Sequence, residues 1–262
     1  MIRALDRALD VAIRRAGTPA GVRFTERQLY YEMCRVLRPL HAAPRLPPFT
    51  LPPPIRYGTF RAALARRGRE QVPGLLPPAA PPHTTTGPVS TEPDLFDYGL
   101  PRMLICQHRA IASMLRANDL HMEAASPILA VDDLPPDPRL PAALGRAGGA
   151  TVYVLHDAGA TGMAIPRLVR RRLAPPDGVR VVPLGLSPRQ AASLHLTTLH
   201  LTTGRGPSPG GRFAEVAAVR PARLLRTLHR LMREDDPADH APRFRDELRK
   251  ARDTGFMTQP PS

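Results

Sequence analysis

Thr151-Val152-Tyr153-Val154-Leu155-His156-Asp157-Ala158-Gly159-Ala160-Thr161-Gly162 is the stretch on which the fold turns. It opens with five residues rich in β-branched and aromatic side chains, which suit a strand, and passes into a turn of small residues led by an acid. Beyond it, Met163 to Leu173 has helical spacing and carries Arg167, Arg170, Arg171 and Arg172. Strand, tight turn and helix in that order form the repeating unit of a parallel α/β sheet. The same unit recurs on both sides. Met103 to Cys106 reads as a strand before a helix over Arg109 to Asn118, and Pro127 to Val131 as a strand before a short helix over Leu140 to Ala147. Val179 to Leu184 reads as a fourth strand, and Ser187 starts another helix. Further on, Arg220 to Met232 and Asp239 to Arg252 read as two basic amphipathic helices. The pentads Leu194 to Thr198 and Leu199 to Thr203 repeat once, too briefly to imply a solenoid.

Proline separates this region from what precedes it. The chain of 262 residues has 33 prolines, clustered in 44–54, 73–93 and 135–141, where they exclude helices and central strands. The expected organisation is a small helical domain over 1–72, a Pro-rich linker over 73–98 and the α/β domain over 99–262. In the first domain Ile2, Leu5, Leu9, Ala12, Ile13 and Ala16 recur at helical spacing, and Gly17-Thr18-Pro19 ends that helix. A second helix starts at Thr25, where Thr25-Glu26-Arg27-Gln28 forms a capping box before the stripe Leu29, Tyr30, Met33, Val36 and Leu37. A third follows Gly58, with Thr59 as its N-cap, Phe60, Ala63 and Leu64 inward and Arg61, Arg66 and Arg69 outward. Three short helices with an arginine-studded third, and a proline-rich hairpin candidate between the second and third, suit a helix-turn-helix or winged-helix module.

The charge balance points to an acidic partner. Lys+Arg number 37 against 23 Asp+Glu, for a net charge of +14, and Lys250 is the only lysine. Arginine forks hold phosphate bidentately, so a polyanion, and nucleic acid first, is the expected ligand. Cys34 and Cys106 lie far apart in apolar contexts, which fits buried thiols in a reducing compartment and neither a disulfide scaffold nor a zinc site. No apolar run approaches the roughly 18 residues of a membrane span, and no hydrophobic signal core opens the chain. A cytoplasmic protein without a membrane partner is expected.

Two places carry chemistry. On the second helix Tyr31 shares a face with Arg27, Cys34, Arg35 and Arg38, so a phenol is expected among guanidiniums that could lower its proton affinity and shield a phosphodiester's charge. At the carboxyl ends of the strands, where ligands of open parallel sheets gather, stand Cys106-Gln107-His108, Val131-Asp132-Asp133 and the turn from Asp157 to Gly162. Asp157, with Asp132 or Asp133, is the candidate set for Mg²⁺. The nine histidines form no metal set, since His195 and His200 are five apart.

In order, these pieces resemble the A subunit of topoisomerase VI and the related meiotic double-strand-break transesterase. Phe24-Thr25-Glu26-Arg27-Gln28-Leu29-Tyr30-Tyr31 resembles that family's tyrosine motif, in which an arginine precedes two aromatics and the second is the nucleophile. Leu100 to Gln107 resembles the first strand of its Toprim domain, and Val154 to Gly162 the strand bearing its Asp-x-Asp. Leu184-Gly185-Leu186-Ser187-Pro188 resembles a later segment, so the likeness runs from about Val22 to Arg252. The resemblance implies a winged-helix-like domain followed by a Toprim-like parallel α/β domain. It implies double-stranded DNA as ligand, with Tyr31 and Arg27 catalytic and Arg35, Arg38, Arg61, Arg66 and Arg69 on the DNA. It also implies a homodimer, an ATPase partner subunit and Mg²⁺. An active member would be a type IIB topoisomerase-like DNA transesterase. This chain departs from the family where it has Gln107 in place of a glutamate and Gly159 in place of the second aspartate, which leaves Asp157 of three carboxylates. The expected function is therefore DNA binding with metal-dependent cleavage impaired or lost. The alternatives are an active transesterase with a rebuilt Mg²⁺ site, and a phosphate- or nucleotide-handling α/β enzyme whose turn from Asp157 to Gly162 cradles phosphate.

Overall fold

The computed structural model describes residues 2–39, 48–79, 99–134, 139–203 and 206–233. The helix expected over 239–252 and most of the linker lie outside them. The chain mixes helix and strand around a four-stranded parallel sheet, an α/β fold. In chain order come α1 (Ile2–Ala16), α2 (Glu26–Leu37), α3 (Tyr57–Arg67), β1 (Arg102–Cys106), α4 (Arg109–Ala117) and α5 (Leu120–Glu123). They are followed by β2 (Ile128–Ala130), α6 (Arg139–Arg146), β3 (Thr151–Leu155), α7 (Ala160–Leu173), β4 (Arg180–Gly185) and α8 (Pro188–Ser193). A two-stranded antiparallel ribbon of β5 (Leu199–Thr203) and β6 (Gly206–Phe213) precedes α9 (Pro221–Arg233).

The strand order is β2-β1-β3-β4. Met103, Ile105, Val152 and Val154 bury one face of the sheet against Leu140 and Leu144 of α6 and Ile165, Val169 and Leu173 of α7. Leu104, Cys106, Tyr153 and Leu155 bury the other, against α4 and α9. A sheet covered on both faces needs apolar residues at every position, which is why the strands read as unbroken runs. The connection leaving β1 through α4 crosses one face and the connection leaving β3 through α7 crosses the opposite one, so the topological switch falls between β1 and β3.

The second cluster does not stop at the sheet. It continues through α9 and the 3-10 turn Val216–Ala218 into Leu29, Tyr30, Tyr31 and Met33 of α2, and on to Leu9, Ala12 and Ile13 of α1. Every residue from Gln28 to Arg35 is buried, so α2 is enclosed on all sides instead of presenting a polar face. Its capping box forms as expected: the Gln28 amide N–H donates to Thr25 Oγ1 at 3.1 Å, and the Thr25 N–H to Gln28 Oε1 at 2.9 Å. Helix α3 begins three residues earlier than the sequence suggests, with Arg56 and not Thr59 as its N-cap. The hairpin candidate before it falls partly outside the described residues. Within them, Leu51 pairs with the later chain, accepting from Thr198 N at 2.8 Å and donating to Leu196 O at 3.2 Å.

Gly162, in the first turn of α7, has no room for a side chain, because a Cβ there would overlap the Asp157 carbonyl oxygen. Gly58, near the start of α3, has nothing within 4 Å of the same atom. Substitution to alanine should therefore have opposite signs at the two positions. Gly162→Ala is expected to cost more than about 3 kcal/mol through backbone displacement, while Gly58→Ala gains about 0.5 kcal/mol of helix propensity. Urea midpoints for the two variants check this, and equal effects would contradict the close approach at Gly162.

Candidate functional site

The carboxyl ends of β1 and β3 lie side by side, with Cys106 paired to Leu155, so Gln107 and His108 emerge next to His156 and Asp157. Asp157 is buried, and its polar groups are all engaged. Its Oδ1 accepts from the Val216 amide at 2.8 Å. Its Oδ2 lies 2.6 Å from His108 Nε2 and accepts from Gln107 Nε2 at 3.4 Å, and its N–H donates to Gln107 Oε1 at 2.8 Å. Ala158 and Ala214 exchange two backbone bonds, of 2.8 and 2.9 Å. The crevice where ligands of such sheets bind is thus filled by the chain's own segment, Phe213 to Val216. The Asp157 and Ala158 amides are thus already used within the chain.

His108 is half exposed beside this buried carboxylate. Burial opposes its charged form, yet the hydrogen bond and attraction from Asp157, reinforced by Glu215 and Asp132, hold its pKa above the ordinary value of 6.5. His156, whose Nδ1 faces the Asp157 carbonyl at 3.0 Å, is shifted down because burial dominates.

Glu215 links this crevice to α2. Its carboxylate takes a bidentate fork from Arg27, both contacts at 2.6 Å. The guanidinium then lies over three rings, 4.6 Å from the Tyr57 centroid, 5.4 Å from Tyr30 and 5.5 Å from Tyr31. Burial opposes the charge on Arg27, but the bond to Glu215 and the nearby phenols raise its pKa further. Tyr31 is fully buried, and its hydroxyl has no hydrogen-bond partner. Burial and the Glu215 carboxylate push its pKa up, and the opposing attraction of Arg27 is smaller. The phenol expected among guanidiniums is a neutral core side chain, with Arg27 over its ring.

Residues 215–220 cover the face of α2 that carries Tyr31. Arg35 donates to the Ala218 carbonyl at 2.6 Å and to Glu32 at 2.7 and 2.9 Å, buried and closed to phosphate. Arg38 donates to the Pro52 carbonyl at 3.5 Å. On α3, Arg66 pairs with Asp6 at 2.8 Å and Arg61 lies 3.6 Å from Glu26, while Arg69, in the 3-10 turn after the helix, is bound to Glu26 and the Leu76 carbonyl. A cleft of about 180 Å³ opens beside them, between Glu26, Arg27, Tyr57, Arg69, Ala110 and Ser113.

The residues present do not fit Mg²⁺. The oxygens of Asp157 are occupied by N–H donors, and Asp133 is committed to Arg109 at 2.6 Å and the Ala130 amide at 2.8 Å, with Asp132 exposed. A Cβ at Gly159, where the resemblance implies an aspartate, would stand 2.7 Å from Phe213 Cβ. Among the described residues no three His, Cys, Asp or Glu side chains are arranged to hold a metal ion. Glu215 and Phe213 were missed. The available signal was that Glu215 is the lone acid between Asp177 and Glu234 in an arginine-rich stretch. Comparisons of the chain with protein-family models, curated proteins and solved structures found no match.

Two outcomes follow from this geometry. Stability from the His108–Asp157 pair is complete below the unfolded histidine value near 6.5 and is lost as pH rises through the higher folded value. The gap in melting temperature between wild type and His108→Gln should therefore narrow as pH rises from 6.5 through the folded value and level off above it; a constant gap from about pH 5 to 9 would count against the pair. Arg27→Ala strands the Glu215 carboxylate and should cost about 2 kcal/mol. Arg27→Lys should recover less than half of this, since lysine offers neither the fork nor the stacking plane. Chemical denaturation of the three proteins measures both differences.

Proposed function

We propose that the chain is a duplex-DNA-binding protein on the plan of the topoisomerase VI A subunit, a winged-helix-like module joined to a Toprim-like domain, that has lost metal-dependent strand cleavage. A homodimer and an ATPase partner subunit belong to the same proposal. One observation carries the loss: the Asp157 carboxylate is saturated by Val216, His108 and Gln107 instead of being open to a cation. A nucleophilic phenol must shed its proton, and Tyr31 is held neutral in the core beside a guanidinium that Glu215 has already neutralised. The junction of α2 with the sheet then serves as structure. Affinity for DNA rests on the net charge of +14, which favours release of counterions from phosphates.

The active alternative has one feature in its favour. Tyr31 and Asp157 converge on the same segment, since Arg27 and Glu215 join α2 to the residue before Val216.

Binding to a duplex should weaken steeply with salt, with log K falling against log salt by about 0.9 per phosphate neutralised, and Tyr31→Phe should bind as wild type does. Denaturing gels after incubation with Mg²⁺ or Mn²⁺ should show no covalent protein–DNA adduct. A flat salt response overturns the DNA reading, whereas an adduct that disappears in Tyr31→Phe overturns the loss of cleavage and leaves DNA binding standing.

A further inference from the structure

The arginines divide into two populations. Arg66 and Arg67 of α3 are compensated by Asp6 and Asp10 of α1, at 2.8 and 3.1 Å, and the same two aspartates lie three or four positions from Arg3, Arg7 and Arg14 of α1. On α2, Arg27 and Arg35 are held by Glu215 and Glu32. Helix α7 differs. It contains no acidic residue, and between Asp157 and Glu215 the chain has a single one, Asp177, in the turn after the helix.

Ile165, Val169 and Leu173 turn α7 onto the sheet, which places Arg167 and Arg171 on the opposite, outward side, with Arg170 flanking them about 100° from Arg171. All three are exposed, and among the described residues none has an ion pair or hydrogen bond. Exposed Met163 stands one turn before Arg167 on the same side. Arg172 reaches back toward the Val131 carbonyl at 3.5 Å and is less available.

An ordinary explanation for arginines near a helix end is the partial negative charge of its last carbonyls. That covers Arg170 and Arg171 in the last turn, but the effect fades within one turn and does not reach Arg167. Like charges at i, i+3 and i, i+4 repel, so this face costs the free protein stability that acidic neighbours would remove. A GC-rich codon bias explains arginine in place of lysine but not the absence of aspartate and glutamate here, since the same chain interleaves Asp6 and Asp10 with the arginines of α1.

We propose that the outward face of α7, formed by Arg167, Arg170 and Arg171, is the surface that docks on the phosphate backbone of duplex DNA, in place of the α3 arginines that sequence reasoning selected. This rests on the DNA-binding reading above and relocates its contact surface. Exposed, unpaired guanidiniums can exchange counterions and water for phosphates without first breaking an internal ion pair, whereas Arg66 and Arg67 would have to leave Asp6 and Asp10. No base-reading group stands among them, so the contact is one of charge and shape, with little sequence preference.

The test compares two triple variants of equal charge loss, Arg167→Gln/Arg170→Gln/Arg171→Gln on α7 and Arg61→Gln/Arg66→Gln/Arg67→Gln on α3. Affinity for a blunt duplex of about two helical turns is measured against salt, and thermal melts establish that each variant folds. With each lost phosphate contact lowering the slope by about one, the α7 variant should lose between two and three in slope and at least tenfold in affinity at low salt. The α3 variant should keep the wild-type slope to within about half a unit. Equal losses in both variants, or an unchanged slope in the α7 variant, overturn this assignment while leaving DNA binding intact. A wild type that binds no duplex overturns both, as does one whose α7 arginines bind only anionic phospholipid vesicles.

Discussion

A buried carboxylate at the end of a strand must find hydrogen-bond donors, and the way Asp157 meets that demand sets much of what surrounds it. Leaving such a group unsatisfied costs a folded chain on the order of several kcal/mol. Val216 N–H supplies one donor, and that contact fixes residues 213–216 in the crevice between β1 and β3. The remaining oxygen is met by His108 and Gln107, both from the end of the neighbouring strand. Once residues 213–216 are held there, Glu215 points to α2 and Ala218 offers its carbonyl to Arg35. The helical module is thereby docked on the sheet through polar contacts laid over one continuous apolar cluster.

This docking decides the chemistry of Tyr31. Two effects compete over its proton: exclusion of water, which favours the neutral phenol, and the guanidinium of Arg27, which favours the phenolate. Burial wins, helped by Glu215, whose carboxylate neutralises the Arg27 guanidinium that opposes it. A guanidinium shared by one carboxylate and three aromatic rings is well placed to hold rings in position and poorly placed to activate one of them. The same packing holds Cys34 protonated, its thiol pushed up to about 11 by burial against the pull of nearby arginines.

Much of the local structure was legible because it depends on local chemistry, the start of α3 excepted. The capping box at Thr25, the helix start at Ser187, the apolar runs of the strands and the amphipathic stripe of α1 each depend on residues a few positions apart, and each formed where the sequence placed it. What was not legible depends on partners far away in the chain. The face of α2 carrying Tyr31 is covered by residues about 185 positions later, as Arg27–Glu215 and Arg35–Ala218 show. Nothing in the periodicity of α2 distinguishes a stripe facing water from one facing another segment of polypeptide. For the same reason the arginines of α3 read as outward-facing cations: their carboxylate partners in α1 are 57 and 60 residues away, and ion pairing leaves no local pattern in the sequence.

Gly159 and Gln107 read in the sequence as missing carboxylates, yet each occupies a position that the surrounding structure has shaped. At Gly159 the space for a side chain is taken by Phe213 at the end of β6, so an aspartate there would require the ribbon to withdraw. Gln107 uses both ends of its amide, accepting from the Asp157 N–H and donating to its carboxylate, a pairing that a charged glutamate cannot make because it would set two anions against each other. A carboxylate introduced at either position alone therefore meets a steric or electrostatic obstacle contributed by the other parts of the junction. The two positions act together: the neutral Gln107 amide lets Asp157 accept from Val216 and His108, and Phe213 takes the space that a side chain at Gly159 would need.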